Sequence, residues 1–252
     1  MLDYSKGLGF MTISPDVLFS VAGFPVTNTV VSTVFVDVIL AFVAFFVSKT
    51  ASLKPTRFQN VLEIIVDYFH STTSEIAGKK VDFIYPWVLT FFLFILISNF
   101  IGELPGFEEA FTVSTKNSQE VSLFRTVASD LNFTLAIAVI SVVLAMLKSI
   151  KYIGIKGYIS RFISFKMFPI FLFVGTLEFI NEFTKVVGLS FRLFGNMFAG
   201  SSVIETVYHS IAFLIVPVPF VALELMIAVI QAMVFAMLTM AFMHIMTENA
   251  DH

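Results

Sequence analysis

A single arginine occupies the stretch of this chain in which a charge is least expected. Arg192 is the only ionisable residue between positions 186 and 204, in the sequence VVGLSFRLFGNMFAGSSVI. A guanidinium group keeps its proton even in apolar surroundings, so Arg192 carries a positive charge wherever the fold places it. In a membrane-spanning segment such a charge is costly, and it indicates an ion pathway.

Polar side chains recur at helical spacing along the apolar segment that contains Arg192 and along the apolar segment that follows it in the sequence. The members on the first segment are Glu178, Glu182, Lys185, Arg192, Asn196, Ser201, Glu205 and His209. The members on the second segment are Glu224, Gln231 and His244. Steps of three, four or seven residues from 178 to 196 place those side chains on one helix face. Because Glu, Asn, Gln and Ser can hold or pass a proton through hydrogen bonds, the stripe indicates a hydrated proton path.

A purely structural interpretation competes with the proton path. Arg192 could snorkel to the membrane surface or pair with Glu224, although its mid-segment position disfavours snorkelling. The three charges at positions 178–185 fit internal ion pairs near an interface. The two histidines near helix ends fit a structural role better than a functional one.

The composition predicts a membrane protein. Of 252 residues, 58% are hydrophobic and only 13% are charged, whereas soluble domains average about 25% charged residues. Mean hydropathy is +0.93. The absence of cysteine excludes disulfides, thiol chemistry and Cys-based metal sites, and we expect no metal and no cofactor. The net charge of −3 argues against a nucleic-acid partner.

Five apolar segments are each long enough to cross a bilayer, at about 20 residues per crossing. They lie at 29–48, 84–101, 131–147, 167–210 and 218–247. A sixth segment, 58–76, alternates apolar and polar residues at helical spacing. That pattern is typical of an amphipathic helix at the membrane interface, and a helix buried against other protein is the alternative. We predict an all-α polytopic membrane protein, in one domain over 1–252, with about five transmembrane segments plus one interfacial amphipathic helix.

The last two segments are too long to cross the membrane upright. Forty helical residues reach about 60 Å, twice the ~30 Å hydrocarbon core. Pro217 and Pro219 separate the two segments. We therefore predict two long, tilted, antiparallel helices that form a hairpin. A tilted hairpin can follow a curved surface, which suggests a large partner with many spans.

Basic residues set the expected orientation. Ten of the fifteen follow the first span, the amphipathic helix or the third span. They are Lys49, Lys54, Arg57, Lys79, Lys80, Lys148, Lys151, Lys156, Arg161 and Lys166. These segments should face the cytoplasm or matrix, whereas the acidic loop 103–130 and the segment 1–28 should face outward. The N-terminus lacks the basic-then-apolar build of a signal peptide, so we expect the first span to be retained.

Several motifs resemble one family. LSFRLFGNMFAG at 189–200 resembles the arginine motif of subunit a of the F-type (rotary) ATP synthase. ISPDVLFSVAGFPVTNT, ISNFIGELPG and IQAMVFAMLTMAFM resemble bacterial members, so the resemblance covers nearly the whole chain. It implies a non-catalytic, proton-translocating stator subunit in the bacterial inner membrane, or alternatively the mitochondrial inner membrane. The implied partners are the c-subunit ring, the peripheral-stalk b subunits, other membrane subunits and the lipid bilayer.

The resemblance also implies roles for individual residues. Arg192 matches the essential arginine between two proton half-channels. Glu178, Asn196, Gln231 and Glu224 match polar positions along those half-channels, with Glu178 toward the inner one.

One position departs from the family pattern. Members often have Glu or His where this chain has Ser201, and a serine cannot titrate. Glu205 lies one helical turn away, and we predict that it replaces the missing titratable group. Substituting Glu205 should therefore impair coupling more than substituting Ser201.

Two other functions compete with the one that the resemblance implies. A secondary ion or solute transporter with a midplane polar site should show repeated halves and interrupted helices, and the sequence contains no evident repeat. A purely structural membrane anchor is the other alternative. The phosphate-binding pattern GxxxxGK[ST] is absent, so we do not expect this chain itself to make ATP.

Overall fold

The chain is built mainly of long α-helices in the computed structural model. The structure describes residues 14–21, 23–52, 54–104, 107, 111–114, 120–162, 170–210 and 217–247. The helices are α1 (Asn28–Thr50), α2 (Arg57–Ala77), α3 (Val81–Gly102), α4 (Leu131–Phe162), α5 (Ile170–Ser210) and α6 (Pro217–Thr247). Two short antiparallel hairpins pair β1 (Val17–Val21) with β2 (Phe24–Thr27), and β3 (Thr112–Ser114) with β4 (Glu120–Ser122). The predicted all-α class is confirmed.

Four of the described helices are long and apolar enough to cross a membrane. They are α1, α3, α4 through Tyr158, and α6 from Val218. Helix α5 is the longest, with 41 residues, and reaches about 60 Å. It is less apolar than the other four because the polar stripe runs along it. The length of α5 and its polar residues distinguish it as the helix that carries the candidate site.

Unit 1, the first of two compact units, comprises Met1–Phe46, Leu93–Thr134 and Arg192–Ala232. Its apolar core contains Val36, Ile95, Val127, Leu193, Met197 and Ala228, each at most 1% exposed. Four phenylalanines also pack together, with ring centroids 5.0 to 6.3 Å apart, and they are Phe35, Phe107, Phe111 and Phe124. This aromatic cluster holds the segment before α4 against α1.

Unit 2 comprises Val47–Phe92, Leu135–Phe191 and Met233–His252. Its buried side chains include Phe69, Ile84, Val88, Phe235, Met240, Met243 and Met246. The hydroxyls of Ser141 and Thr239 lie 2.8 Å apart and join α4 to α6. Lys80 Nζ donates to the carbonyl of Thr247, 2.7 Å away, and so satisfies a C-terminal carbonyl of α6 with a favourable positive charge.

Most apolar side chains on the stripe of helix α2 are exposed and do not pack against the rest of the described chain. Thr56 caps the helix, since its hydroxyl accepts from Gln59 N. Phe69 is buried and contacts Phe92, with ring centroids 4.5 Å apart. By contrast, Phe58 and Val61 are 53% and 56% exposed. Within this chain, the exposed stripe favours the interfacial helix over the alternative of a helix buried against protein.

Helix α4 extends to Phe162 instead of ending at position 147. Gly154 interrupts it with φ 85° and ψ 159°, a conformation that glycine adopts at little cost. Lys148, Lys151 and Lys156 line this extension, so its sequence is too polar to be recognised as part of an apolar span.

The hairpin β1–β2 lies in the segment predicted only as an outer N-terminal stretch. Gly23, with φ 87°, forms the turn between the strands. The flanking residues VLFSV and FPVT contain β-branched and aromatic side chains that favour strands. The two strands are short, so they were not recognised in a sequence dominated by helical spans.

Candidate functional site

Arg192 points away from the core of unit 1. Its neighbours Leu193 and Met197 are fully buried, at 0% exposure, while Arg192 itself is exposed on α5. The only ion pair found in the described parts of the chain joins Lys185 to Glu182. The structure therefore does not support a pairing of Arg192 with Glu224. Among the described residues, none forms an ion pair with this guanidinium group, which lies on an exposed helix face.

Asn196, one helical turn beyond Arg192, bridges the two long helices. Its Nδ2 donates to Oε1 of Gln231 on α6, at 2.8 Å. Gln231 is 3% exposed, whereas Asn196 is exposed. Two residues of the predicted stripe thus meet, and their hydrogen bond joins α5 to α6 directly beside the arginine.

Glu224 packs against Gly200, at the next point where α5 and α6 meet. The carboxyl group of Glu224 is so close to Gly200 that a Cβ atom there would overlap Oε1. Glu224 is 2% exposed, and no described residue donates a hydrogen bond to its Oε1. An unpartnered buried carboxyl group is unusual, and it is a common feature of functional positions. A side chain at Gly200 would require the Glu224 side chain to move from this position.

Ser201 contacts a carboxylate that the sequence analysis did not single out. Its hydroxyl lies 2.9 Å from Oε1 of Glu103 and 2.8 Å from the carbonyl of Met197. The hydroxyl of Thr126 lies 3.5 Å from the same Oε1 atom. Glu103, Thr126 and Ser201 are 5%, 1% and 8% exposed. These three residues form a buried polar group, the Glu103 cluster.

Gly102 makes the Glu103 cluster possible. A side chain at Gly102 would overlap the backbone and side chain of Thr126, so the glycine lets the loop approach the end of α3. Glu103 follows immediately, in the motif ISNFIGELPG. The only sequence signal for Glu103 was an acidic residue at the end of an apolar span.

The lower-numbered part of the stripe forms local contacts within unit 2. Glu182 Oε1 and Lys185 Nζ lie 2.8 Å apart, one turn from each other on α5. Lys185 Nζ also lies 5.1 Å from the centroid of the Phe242 ring, within cation–π range. These contacts support the structural interpretation for this pair. Glu178, one turn earlier, is half-buried.

The remaining predicted residues are only partly described. The side chains of Glu205 and His209 lie outside the described residues, although both positions belong to α5. His244 is half-buried near the end of α6, and no partner in the described chain bonds to its Nδ1. Within the residues that the structure describes, no group of three His, Cys, Asp or Glu side chains could hold a metal ion.

A protein-family model and several known proteins match this chain over most of its length. The family model described as ATP synthase A chain matches residues 29–244. The chain belongs to the ATP synthase subunit a family. Subunit a is a non-catalytic membrane subunit of the ATP synthase complex, and the catalytic sites lie in other subunits.

Three relatives from different bacteria illustrate the similarity to subunit a. The ATP synthase subunit a of Moorella thermoacetica is 33% identical over 230 residues, which cover 91% of this chain and 95% of the relative. The sodium ion specific subunit a of Propionigenium modestum is 31% identical, over 92% of this chain and 78% of the relative. Subunit a of Legionella pneumophila subsp. pneumophila is 28% identical, over 89% of this chain and 88% of the relative. The match extends well beyond the arginine motif.

Proposed function

We propose that this subunit a provides two proton half-channels and places Arg192 against a rotating ring of c subunits. The observation that carries the proposal is the exposed Arg192 on α5, which has no ion-pair partner in the described chain. A permanently charged group of this kind is costly in lipid, whereas it is stabilised beside carboxylates of a partner. The polar contacts between α5 and α6 begin next to Arg192, which supports a path leading to it.

The outer half-channel is proposed to load the ring. Protons from outside would reach the ring carboxylate through Glu224 and Gln231, with Ser201 and Glu205 at the outer end. A protonated carboxyl group is neutral and can therefore face lipid as the ring turns. The buried carboxyl group of Glu224 and the Asn196–Gln231 hydrogen bond support this route.

The inner half-channel is proposed to receive the proton released near Arg192. A fixed positive charge favours the ionised form of a nearby carboxyl group, so the arriving ring carboxyl group loses its proton. Glu178 lies fourteen positions earlier on α5, about 21 Å along the helix. Glu178 would guide the released proton toward the inner side.

Arg192 would also keep the two half-channels apart. Its charge repels protons, so a proton cannot pass directly from one path to the other without the ring. Each proton that crosses a potential of 100 mV supplies about 2.3 kcal/mol. Rotation of the ring collects several such steps before one ATP is made elsewhere in the complex.

The location and the remaining partners are proposed from the family and from the distribution of basic residues. Membership of the ATP synthase complex and a membrane location are established by the family and the four spans. We propose the bacterial inner membrane, with the basic loops on the cytoplasmic side. The peripheral-stalk b subunits are the proposed static partners, and the c-ring is the moving one.

Substitution of Arg192 tests the proposal. Vesicles that contain the complex with Arg192→Ala should make no ATP from an imposed proton gradient in sodium-free buffer. The complex should still assemble, because Arg192 makes no ion pair with the described part of its own chain. Arg57→Ala, which removes an exposed arginine at the start of α2, is the matched control and should keep the unmodified rate. Normal synthesis by the Arg192→Ala complex would refute the proposal.

A further inference from the structure

We infer that Glu103 is an additional proton-carrying residue at the outer end of the outer half-channel. It supplies, from the position just after α3, the titratable group that Ser201 lacks on α5. The inference rests on the function proposed above. It differs from the sequence-based prediction, in which Glu205 replaces that group.

The first observation is direct contact. Oε1 of Glu103 lies 2.9 Å from the Ser201 hydroxyl, although the two residues are 98 positions apart in the sequence. The carboxyl group therefore occupies the space beside position 201. The first side chain after α3 thus reaches the point where a titratable side chain on α5 would otherwise lie.

The second observation is that this site suits both protonation states. The Ser201 hydroxyl has two acceptors, Glu103 Oε1 and the carbonyl of Met197, but only one proton to donate. When Glu103 is ionised, Ser201 donates to it. When Glu103 is protonated, the carboxyl O–H donates to Ser201, whose own proton turns to Met197. Rotation of one hydroxyl thus keeps the pair hydrogen-bonded before and after the proton moves.

The third observation is a polar environment around the buried carboxyl group. The Thr126 hydroxyl, 3.5 Å from Glu103 Oε1, can also donate or accept. Asn99 lies one turn earlier on α3, is 0% exposed, and has both amide atoms without a described partner. Buried amides of this kind are usually satisfied by ordered water. Water at Asn99 would hydrate the approach to Glu103.

The fourth observation is the position relative to the rest of the path. Ser201 adjoins Gly200, against which the Glu224 carboxyl group packs. From Ser201 to Arg192 the α5 axis extends about 14 Å. Glu103 also begins the acidic loop 103–130, which the distribution of basic residues places outside. Glu103 thus lies at the outer end of the polar positions on α5 that extend from Arg192 to Ser201.

Glu103→Gln in the assembled complex tests the inference. The readout is ATP synthesis driven by a proton gradient in vesicles, per assembled complex. Because the amide cannot carry the proton, the rate should fall about tenfold or more. Adding Ser201→Glu to Glu103→Gln returns a carboxyl group to the same place and should restore most of the rate.

Asp130→Asn is the matched control. Asp130 is equally buried, at 5%, and its Oδ1 accepts a hydrogen bond from Asn132 N. Asn caps a helix as well as Asp, so this substitution removes a buried carboxyl group without removing the cap.

Each other outcome has a definite meaning. An unmodified rate for Glu103→Gln, with Arg192→Ala inactive, would overturn the inference and leave the proposed function intact. An unmodified rate for both variants would refute the proposed function itself. If Glu103→Gln fails to assemble, or if Ser201→Glu restores nothing, Glu103 is a structural residue and the inference is wrong. A loss with Glu205→Gln but not with Glu103→Gln would assign the role to Glu205.

Discussion

Arg192 owes its orientation to its immediate neighbours. Leu193 and Met197 are fully buried in unit 1, so the helix turns position 192 outward. A positive charge facing lipid at the centre of a helix costs about 2.5–3.5 kcal/mol. A partner that carries carboxylates removes this cost, and the charge then acts on the partner instead of on its own chain.

The Arg192→Lys variant tests whether the site requires a planar, permanently protonated guanidinium group or only a positive charge. We expect proton-driven ATP synthesis to be largely lost in this variant. A lysine can lose its proton in apolar surroundings, and it lacks the planar fork that meets a carboxylate with two hydrogen bonds. Rates of synthesis in vesicles, compared with Arg192→Ala, measure the difference. Full activity of Arg192→Lys would show that only a local positive charge is required.

The sequence singles out Arg192 as a candidate but not Glu103, and the reason is physical. Arg192 contrasts with the apolar residues that immediately surround it, which is a local signal. The significance of Glu103 depends on a contact with Ser201 across 98 positions. The residue spacing within α3 or within α5 does not predict that contact, because it forms only when the end of α3 packs against α5 in unit 1.

At the scale of the elements, α5 and α6 approach each other closely at Gly200. Gly200→Ala should destabilise the isolated chain in detergent by about 1–3 kcal/mol, because the added methyl group overlaps the Glu224 carboxyl group. Thermal or denaturant unfolding of the purified chain would measure this loss. Gly195→Ala is the matched control, since nothing lies within 4 Å of its Cβ position. That control should be stabilised by up to about 1 kcal/mol through helix propensity.

A double variant shows whether the overlap is the cause. Glu224→Ala removes the carboxyl group, so Gly200→Ala should cost little in that background. If Gly200→Ala destabilises the chain equally with and without Glu224, the close packing of these two residues does not explain the effect.

The elements themselves were predictable to different degrees. Four of the five predicted apolar segments overlap the four helices that are long and apolar enough to cross a membrane, and the predicted amphipathic segment overlaps α2, because both signals are local. The extension of α4 past Lys148 was missed, since its lysines are helix formers but lower hydropathy. The hairpin β1–β2 was missed because two short strands give a weak pattern beside six long helices.

At the scale of the whole molecule, we propose that the chain contains only part of a transport path. Its contact between α5 and α6 at Asn196 and Gln231 lies one helical turn from an exposed arginine, for which the described chain offers no carboxylate partner. The chain reconstituted alone, with its helicity checked by circular dichroism, should therefore leave vesicles no more permeable to protons than empty ones. Adding the c-ring should create a proton flux. Proton or solute transport by the chain alone would favour a self-contained transporter.

The most direct test of the central claim is an experimental structure of the whole membrane complex. It would show which group lies opposite the Arg192 guanidinium. The account predicts ring carboxylates passing at this position, near ion-pair distance of about 4 Å or bridged by water. An Arg192 that faces lipid, or that pairs with an acid of its own chain while the ring lies against another surface, would contradict it.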